Sequence, residues 1–313
     1  MTLTGAVICL FPGQGAQRVG MGRELVREFA CARAVFDEVD EALGTALSRL
    51  CFEGPGETLE LTENAQPALL ACSVAAYRAA RECCALEPVA MAGHSLGEWS
   101  ALVAAGALSL ADAARGVRER GRLMQAAVPV GAGGMAAVMG LEAPEVEALC
   151  AEAAAGEVLA AANVNGAGQV VVAGHTAAVA RLVELAKGRR AKVQVLAVSA
   201  PFHCALMAPA ADGVARFLAG VTLSAPTVPV VTSVEGRPVD GPDDIRRLLA
   251  RQVTAPVRWE ATMRTLAAMP ARLAVELGAG RTLAGLWKRT VPAIPVLPVG
   301  EPAALVALRE ALA

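Results

Sequence analysis

The chain has 313 residues, of which 55% are hydrophobic and 19% charged, and its formal net charge is −2. This length favours one large domain with a smaller one inserted, and the apolar content suffices for a sizeable core. The small negative charge argues against nucleic-acid binding. No apolar run reaches the length of a membrane span, and no basic region precedes the first apolar stretch, so neither a membrane protein nor a signal peptide is expected.

Cysteine and histidine usage narrows the chemistry further. Eight cysteines lie at irregular spacings, with Cys83 and Cys84 adjacent and no C-x-x-C pair. This pattern favours reduced thiols in a cytoplasmic protein. The three histidines lack the spacing of metal ligands, so a zinc site is not expected.

The first strand is predicted at Gly5–Phe11, and a glycine-rich loop follows it. Gly13 and Gly15 raise the possibility of a dinucleotide-binding loop, but Arg18 stands where that fingerprint requires a third glycine. A nucleotide site is therefore not expected. The loop can still present backbone N–H groups to an anion.

A strand, a sharp turn and a helix follow one another near residue 90. Pro88–Ala92 is a short apolar run, and Glu98–Ala105 is small, apolar and helix-favouring. Between them lies a Gly-x-Ser-x-Gly sequence in which Gly93 and Gly97 flank Ser95. This arrangement is typical of a nucleophile elbow, in which glycines relieve backbone crowding and the serine is exposed at a helix N-terminus. Ser95 is the candidate nucleophile.

The next predicted helix, residues 109–128, carries four arginines. At 100° per residue, Arg115, Arg118 and Arg122 share a polar flank, whereas Arg120 lies at the opposite edge of the apolar stripe. An arginine there needs an anionic partner to offset its desolvation. A structural salt bridge or a snorkelling side chain would explain the position equally well.

Residues 130–199 are predicted to form an inserted subdomain, and residues 1–129 and 200–313 a discontinuous large domain. Asn165-Gly166 is predicted to be the turn between the insertion's second and third strands. The element order is βαββαβ, the ferredoxin-like motif. Its predicted elements are Gly134–Met139, Pro144–Ala154, Val158–Val164, Gln169–Ala173, Thr176–Lys187 and Ala191–Val198.

The outer segments alternate strands and helices, which favours an α/β fold with a parallel sheet between helices. One helix is predicted from residue 64 to about 81, with Pro67 in its first turn. The later predicted strands are 227–234, 272–277 and 294–299. The later predicted helices are 205–218, 243–253, 259–268, one ending at 290, and one that closes the chain.

A serine nucleophile needs a base, and His203 is the candidate by elimination. His94 adjoins Ser95 on a tight turn and points elsewhere, while His175 lies in the insertion. His203 opens the loop where the chain re-enters the large domain. Cys204 is rejected as a partner, because sequence neighbours rarely face each other. A histidine in mid-chain without an obvious aspartate argues against an ordinary α/β-hydrolase.

The chain resembles malonyl-CoA:acyl-carrier-protein transacylases, the acyltransferases of bacterial fatty acid and polyketide synthesis. The resemblance covers nearly the whole chain and implies an α/β-hydrolase-like core with an inserted ferredoxin-like subdomain. The motifs that carry it are Phe11–Gln17, Gln66–Leu69, Ala92–Glu98, Arg120–Gln125, Asn163–Asn165, Gln169–Gly174, Pro201–His203, and Gln252 ahead of Pro256–Trp259.

The resemblance implies ping-pong transfer of malonyl from malonyl-CoA to the phosphopantetheine thiol of an acyl carrier protein, without a metal or cofactor. The expected catalytic residues are Ser95 as nucleophile, His203 as base and Gln252 as the residue that orients the histidine. The remaining expected site residues are Gln14 and Leu96 (oxyanion hole, through backbone N–H groups), Arg120 (malonyl carboxylate) and Phe202 (selectivity against an α-methyl group). A monomer is expected.

The chain departs from the family at Gly278-Ala279-Gly280, where relatives commonly have Gly-Pro-Gly, and at Trp99, where tyrosine is common. The alternative activity is that of a serine acyl hydrolase, which shares Ser95 and His203 but needs no carboxylate-binding arginine. A basic cluster in the insertion suggests a docking surface for an acidic carrier protein, although a solvated helix end explains it as well. Its members are Lys187, Arg189, Arg190 and Lys192.

Overall fold

The computed structural model describes residues 5–189 and 191–313. Its strands are β1 (Ala6–Phe11), β2 (Glu87–Gly93), β3 (Gly133–Met139), β4 (Leu159–Gly166), β5 (Gln169–His175), β6 (Lys192–Val195), β7 (Val230–Val231), β8 (Leu273–Leu277) and β9 (Val296–Val299). No helix within the described ranges combines the length and apolar character that a membrane span requires.

The helices of the first half of the chain surround β1 and β2. They are α1 (Arg23–Glu28), α2 (Ala30–Leu43), α3 (Leu47–Glu53), α4 (Gly56–Glu60), α5 (Thr62–Cys83), α6 (Gly97–Ala104) and α7 (Leu110–Ala126). The later helices are α8 (Ala143–Ala154), α9 (Thr176–Lys187), α10 (Ala208–Ala219), α11 (Pro242–Gln252), α12 (Trp259–Ala267), α13 (Thr282–Thr290) and α14 (Pro302–Leu312), with a 3-10 turn at Ala205–Met207.

The larger sheet is parallel throughout, with the strand order β7-β2-β1-β8-β9. Every residue of the central strand β1 is buried, as expected for a parallel strand with helices on both faces. The carboxyl ends of β1 and β2 lie side by side, since Phe11 pairs with Gly93. The loops that follow these two strands are therefore neighbours.

The smaller sheet is antiparallel, with the strand order β4-β5-β3-β6. Helices α8 and α9 complete the βαββαβ order and bury a separate apolar cluster that includes Val138, Leu149 and Leu182. The predicted fold class, a parallel α/β core with a ferredoxin-like insertion, is confirmed. The exact division at residues 130 and 199 stays a prediction.

Strand β4 is joined to the core by backbone hydrogen bonds. Val164 N donates to Val257 O over 2.8 Å, and Val257 N donates to Ala162 O over 2.8 Å. Val257 comes just before α12 in the larger lobe. One edge of the inserted sheet is thereby fixed to the core.

Two local predictions differ from the structure at turns and helix starts. Pro67 lies in the second turn of α5, because the helix begins at Thr62. The helix is buried along most of its length, and that packing outweighs the missing N–H of an internal proline. The hairpin turn is Ala167-Gly168, not Asn165-Gly166, since β4 extends to Gly166. Its two residues have φ of 51° and 67°, as this turn type requires.

Two predicted strands are shorter in the structure. The segment predicted at 227–234 contributes only Val230–Val231 to the parallel sheet, at its edge. Pro229 stands in that segment and has no N–H to donate to a neighbouring strand. The strand predicted at 191–198 is Lys192–Val195, also at a sheet edge.

Candidate active site

Ser95 occupies the tight turn between β2 and α6. Its φ is 52°, a left-handed value that is uncommon for residues other than glycine. A Cβ at Gly93 would lie 1.8 Å from the Gly97 carbonyl carbon, and a Cβ at Gly97 would lie 2.0 Å from the Phe11 carbonyl oxygen. Only glycine fits at either position, so the backbone has the crowded geometry of a nucleophile elbow.

His203 lies against Ser95. The Ser95 Oγ to His203 Nε2 distance is 2.8 Å, and His203 Nδ1 lies 2.8 Å from the main-chain oxygen of Gln252. Because a carbonyl oxygen can only accept, Nδ1 carries the proton and Nε2 is free to accept from Ser95. The group that orients the imidazole is therefore the main chain of Gln252, and its side chain contacts other partners.

Burial and the nearby Arg120 charge lower the pKa of His203 to about 3. The imidazole is therefore neutral near pH 7, as a general base must be before the reaction. The other two histidines have other partners. His94 Nε2 lies 3.0 Å from Asn165 Oδ1, across the boundary between the lobes, and His175 Nδ1 accepts from Val158 N.

The Arg120 guanidinium is buried beside the nucleophile. Nη2 donates to Ser95 Oγ and to Gln252 Oε1, each over 3.0 Å, and Nη1 donates to Gln66 Oε1 over 2.7 Å. The buried Nε has no hydrogen-bond partner. Burial lowers the pKa of Arg120 to about 10, while the charge of Glu98 opposes this shift, so the guanidinium stays protonated at neutral pH.

The environment of Arg120 differs from that of its neighbours on α7. Within the described residues, no carboxylate lies at ion-pair distance from its guanidinium. Arg115 pairs with Asp112, and Arg122 pairs with Glu119, both at the surface. The structural salt bridge and the snorkelling side chain that would also explain its place in the sequence are not what the structure contains.

A buried carboxylate supports this site from behind. Glu98 Oε2 accepts from Gln252 Nε2 over 2.8 Å and from Ser233, whose backbone N and Oγ lie at 3.0 and 2.7 Å. The sequence reasoning assigned no role to Glu98, Gln66 or Ser233. For Glu98 a signal existed, since it is the only charged residue of α6. Ser233 gave none.

The loop after β1 packs against the elbow. A Cβ at Gly13 would lie 2.5 Å from the His94 carbonyl oxygen, so this glycine allows the close approach. The next residue, Gln14, lines the cleft, and its side chain donates to Thr62 Oγ1 over 3.2 Å. Leu96 is buried at the N-cap of α6. In residues 5–189 and 191–313, the N–H groups of Gln14 and Leu96 donate no hydrogen bond within the protein.

A cleft of about 680 Å³ opens above Ser95, between the two lobes. Met135, Asn163 and Val171 of the inserted sheet form one wall, and Ser95 and His203 contribute to the floor. Phe202 also lines the cleft and is 9% exposed. Arg120 is not a lining residue and lies behind Ser95, so a ligand reaches it only past the nucleophile.

The basic cluster of the insertion is partly paired. Lys187 lies 2.7 Å from Glu184, and Arg189 lies 3.1 Å from Glu152. Arg190 lies outside the described residues. No group of three or more potential metal ligands occurs within the ranges that the structure describes.

Comparison with known proteins places this site in a family. Residues 8–306 match the acyl transferase domain. The chain is 45% identical over 302 residues to malonyl CoA-acyl carrier protein transacylase of Escherichia coli K12, covering 96% of this chain and 98% of that protein. The chain therefore belongs to the acyl transferase domain family, which confirms the resemblance inferred from its motifs.

Solved structures agree over almost the full length. The malonyl CoA-acyl carrier protein transacylase of Coxiella burnetii superposes with a TM-score of 0.96 at 38% identity, covering 99% of this chain and 98% of that one. A malonyl-transacylase in complex with a type II polyketide acyl-carrier protein has a TM-score of 0.95 at 41% identity, covering 98% and 99%.

Proposed function

We propose that this protein transfers malonyl groups from malonyl-CoA to the phosphopantetheine thiol of an acyl carrier protein, through a malonyl ester on Ser95. One observation carries the proposal: Ser95 Oγ lies 2.8 Å from a neutral imidazole and 3.0 Å from a buried guanidinium. The imidazole activates the nucleophile. The guanidinium suits an acyl chain that ends in a second carboxylate.

In the acylation step, Ser95 Oγ attacks the thioester carbon and its proton passes to His203 Nε2. The carbonyl oxygen becomes an oxyanion, and the N–H groups of Gln14 and Leu96 are the donors proposed to stabilise it. Removing one such donor typically costs about 3 kcal/mol in the transition state. The C–S bond then breaks, and the departing CoA thiolate takes the proton from His203.

In the transfer step, the carrier thiol gives its proton to His203 and its sulfur attacks the malonyl ester. The tetrahedral adduct collapses, the C–O bond to Ser95 breaks, and Oγ regains its proton. A neutral carbonyl from Gln252 stabilises the imidazolium less than a carboxylate would. A thiol, with a pKa of about 8.5 against about 15.7 for water, needs less assistance, so this arrangement favours transfer over hydrolysis.

Acyl selectivity is assigned to Arg120 and Phe202. The guanidinium binds the free carboxylate of malonyl, and its unpartnered Nε is a donor available for a second hydrogen bond. The Phe202 ring leaves less space for an α-methyl group. A single methyl is worth only about 1–3 kcal/mol of discrimination, so exclusion of methylmalonyl is incomplete.

The proposed setting is the cytoplasm, with the protein acting as a monomer that needs no cofactor beyond its two substrates. All eight cysteines are free thiols, and the adjacent Cys83 and Cys84 sulfurs lie 3.5 Å apart without a bond. Burial raises the pKa of Cys9 and Cys72 to about 12, which makes them unreactive. These features support a reducing compartment.

The test is intact-mass measurement after incubation with malonyl-CoA. The wild-type chain should gain one malonyl group, and Ser95→Ala should gain none. A malonyl adduct that persists in Ser95→Ala would contradict the assignment of the nucleophile. Rapid release of acetyl to water, with malonyl-CoA used poorly, would indicate a serine acyl hydrolase instead.

A further inference from the structure

Glu98 is a buried carboxylate that the transfer steps do not use. It is 1% exposed, and three donors converge on one of its oxygens, Oε2: Gln252 Nε2 and the backbone N and Oγ of Ser233. A main-chain N–H can only donate. Oε2 is therefore an acceptor whatever the charge on the carboxyl group.

This acceptor fixes the rotation of the Gln252 carboxamide. Its nitrogen has to face Glu98, which leaves Oε1 at 3.0 Å from Arg120 Nη2. The reverse rotation would set two oxygens against each other at Glu98 and an NH2 group against the guanidinium. Only one of the two rotations satisfies both neighbours.

The rotation in turn restrains the cation. Two carboxamide oxygens hold the Arg120 guanidinium, Gln66 Oε1 at 2.7 Å and Gln252 Oε1 at 3.0 Å. Without Gln252 Oε1, Nη2 would keep only Ser95 Oγ, the atom that becomes an ester during the reaction. The Glu98–Gln252 contact thus holds the guanidinium in place when Ser95 is acylated.

We propose that Glu98 is a positioning residue for acyl selectivity, which acts through the Gln252 carboxamide to hold the Arg120 guanidinium where the second carboxylate of malonyl binds. The inference rests on the proposed role of Arg120. It predicts that the preference for malonyl over acetyl depends on a residue that touches no substrate.

The experiment measures Ser95 acylation rates with malonyl-CoA and with acetyl-CoA, and compares their ratio among variants. Gln252→Ala removes the carboxamide but keeps the main-chain oxygen that orients His203. Glu98→Ala and Gln252→Ala should each lower the malonyl-to-acetyl ratio about ten-fold or more, and the double variant no further, because the two residues act in series. Glu98→Gln keeps an oxygen acceptor and should restore the ratio to within about three-fold.

Two controls separate the possible failures. Glu276 is another buried carboxylate, which accepts from the backbone N–H groups of Leu283 and Ala284 at the start of α13. Glu276→Ala should lower stability and leave the ratio unchanged. Arg120→Ala should abolish malonyl preference, and adding Glu98→Ala to it should change nothing.

A wild-type ratio in Gln252→Ala would overturn the inference, even if Glu98→Ala failed to fold. So would a loss of ratio from Glu98→Ala that persisted in the Arg120→Ala background. If Arg120→Ala kept the preference for malonyl, the proposed role of Arg120 itself would fail, which is a separate outcome.

Discussion

Arg120 differs from the other arginines of α7 in what its guanidinium contacts. Its partners are neutral oxygens and the nucleophile, and its Nε has no partner. A buried cation without a paired anion is costly, so such a site gains most from a ligand that brings a carboxylate.

We expect Arg120→Ala to lower kcat/KM for malonyl-CoA by orders of magnitude. A charge-assisted pair that is buried contributes about 2–5 kcal/mol when one partner is removed. Acetyl-CoA has no second carboxylate, so its use should hold steady or rise. Steady-state rates with the two acyl-CoA substrates measure both effects.

Arg122→Ala is the matched control, since this arginine lies two positions further along α7. Its side chain is 57% exposed and pairs with Glu119, away from Ser95. It should leave both rates near those of the wild type. Equal losses with both substrates in Arg120→Ala would show a structural role for that residue.

The sequence reveals residues whose chemistry shows in a local pattern. Ser95 lies in a five-residue motif, and Arg120 departs from the helical polarity of its neighbours. The main-chain oxygen of Gln252 has no such signal, because every residue carries one. The contacts of Glu98 join positions 98, 233 and 252, and no local spacing predicts that they meet.

At the scale of elements, the turn between β2 and α6 depends on the absence of side-chain atoms. Gly97 is the first residue of α6, and the strand β1 passes directly beside it. The elbow and the end of β1 are therefore packed backbone against backbone. This contact places the loop that carries Gln14 beside Ser95.

Gly97→Ala should both destabilise the fold and reduce acylation. The new Cβ would lie 2.0 Å from the Phe11 carbonyl oxygen, so the backbone has to separate. We expect a loss of unfolding free energy of about 3 kcal/mol, as for other overpacked core sites. Urea denaturation and the malonylation rate of Ser95 measure the two effects.

Gly285→Ala is the comparison within a helix. Its Cβ would meet only the end of the Arg289 side chain, at 3.8 Å. It should raise stability by about 0.4–1 kcal/mol, because alanine restricts the unfolded chain. If Gly97→Ala were as benign, the crowding at the elbow would be relieved by a shift too small to matter.

Long periodic elements were predictable, and short edge elements were not. The predicted and observed bounds of α9 are the same, Thr176–Lys187, because its apolar stripe is regular. Strand β7 keeps two of eight predicted residues, 227–234. An edge strand has few partners, so its extent depends on neighbours that are distant in sequence.

At the scale of the whole molecule, the site is assembled from distant parts of the chain. Gln14, Ser95, Arg120, His203 and Gln252 come from five separate segments. The inserted lobe supplies one wall of the cleft and is held to the core through β4 and through the His94–Asn165 hydrogen bond. Burial of His203 in this assembly makes the stability of the whole fold sensitive to acid.

We expect acid to destabilise the protein through His203 between pH 6.5 and pH 3. Its pKa falls from 6.5 to about 3 on folding, so in this range the unfolded chain binds a proton that the folded chain does not. Stability is therefore lost as the pH falls. The contribution is about 2 kcal/mol between pH 6.5 and pH 5.

Comparison with His203→Asn isolates this contribution. Asparagine tolerates the left-handed φ of 60° at this position and does not titrate. Burial raises the pKa of Glu98 and of Glu276, which has the opposite effect on stability, but these residues are common to both proteins. Urea unfolding at several pH values should show the wild type losing stability faster below pH 6.5. Parallel pH profiles would contradict the depressed pKa.

The third member of the catalytic triad is a peptide carbonyl, and this has a genetic consequence. Serine and histidine can each be lost by a single codon change, whereas every residue that could replace Gln252 still carries a carbonyl oxygen. A saturation-mutagenesis screen for dead alleles would therefore recover two members of this triad. The third would escape detection wherever the replacement leaves the path of the backbone unchanged.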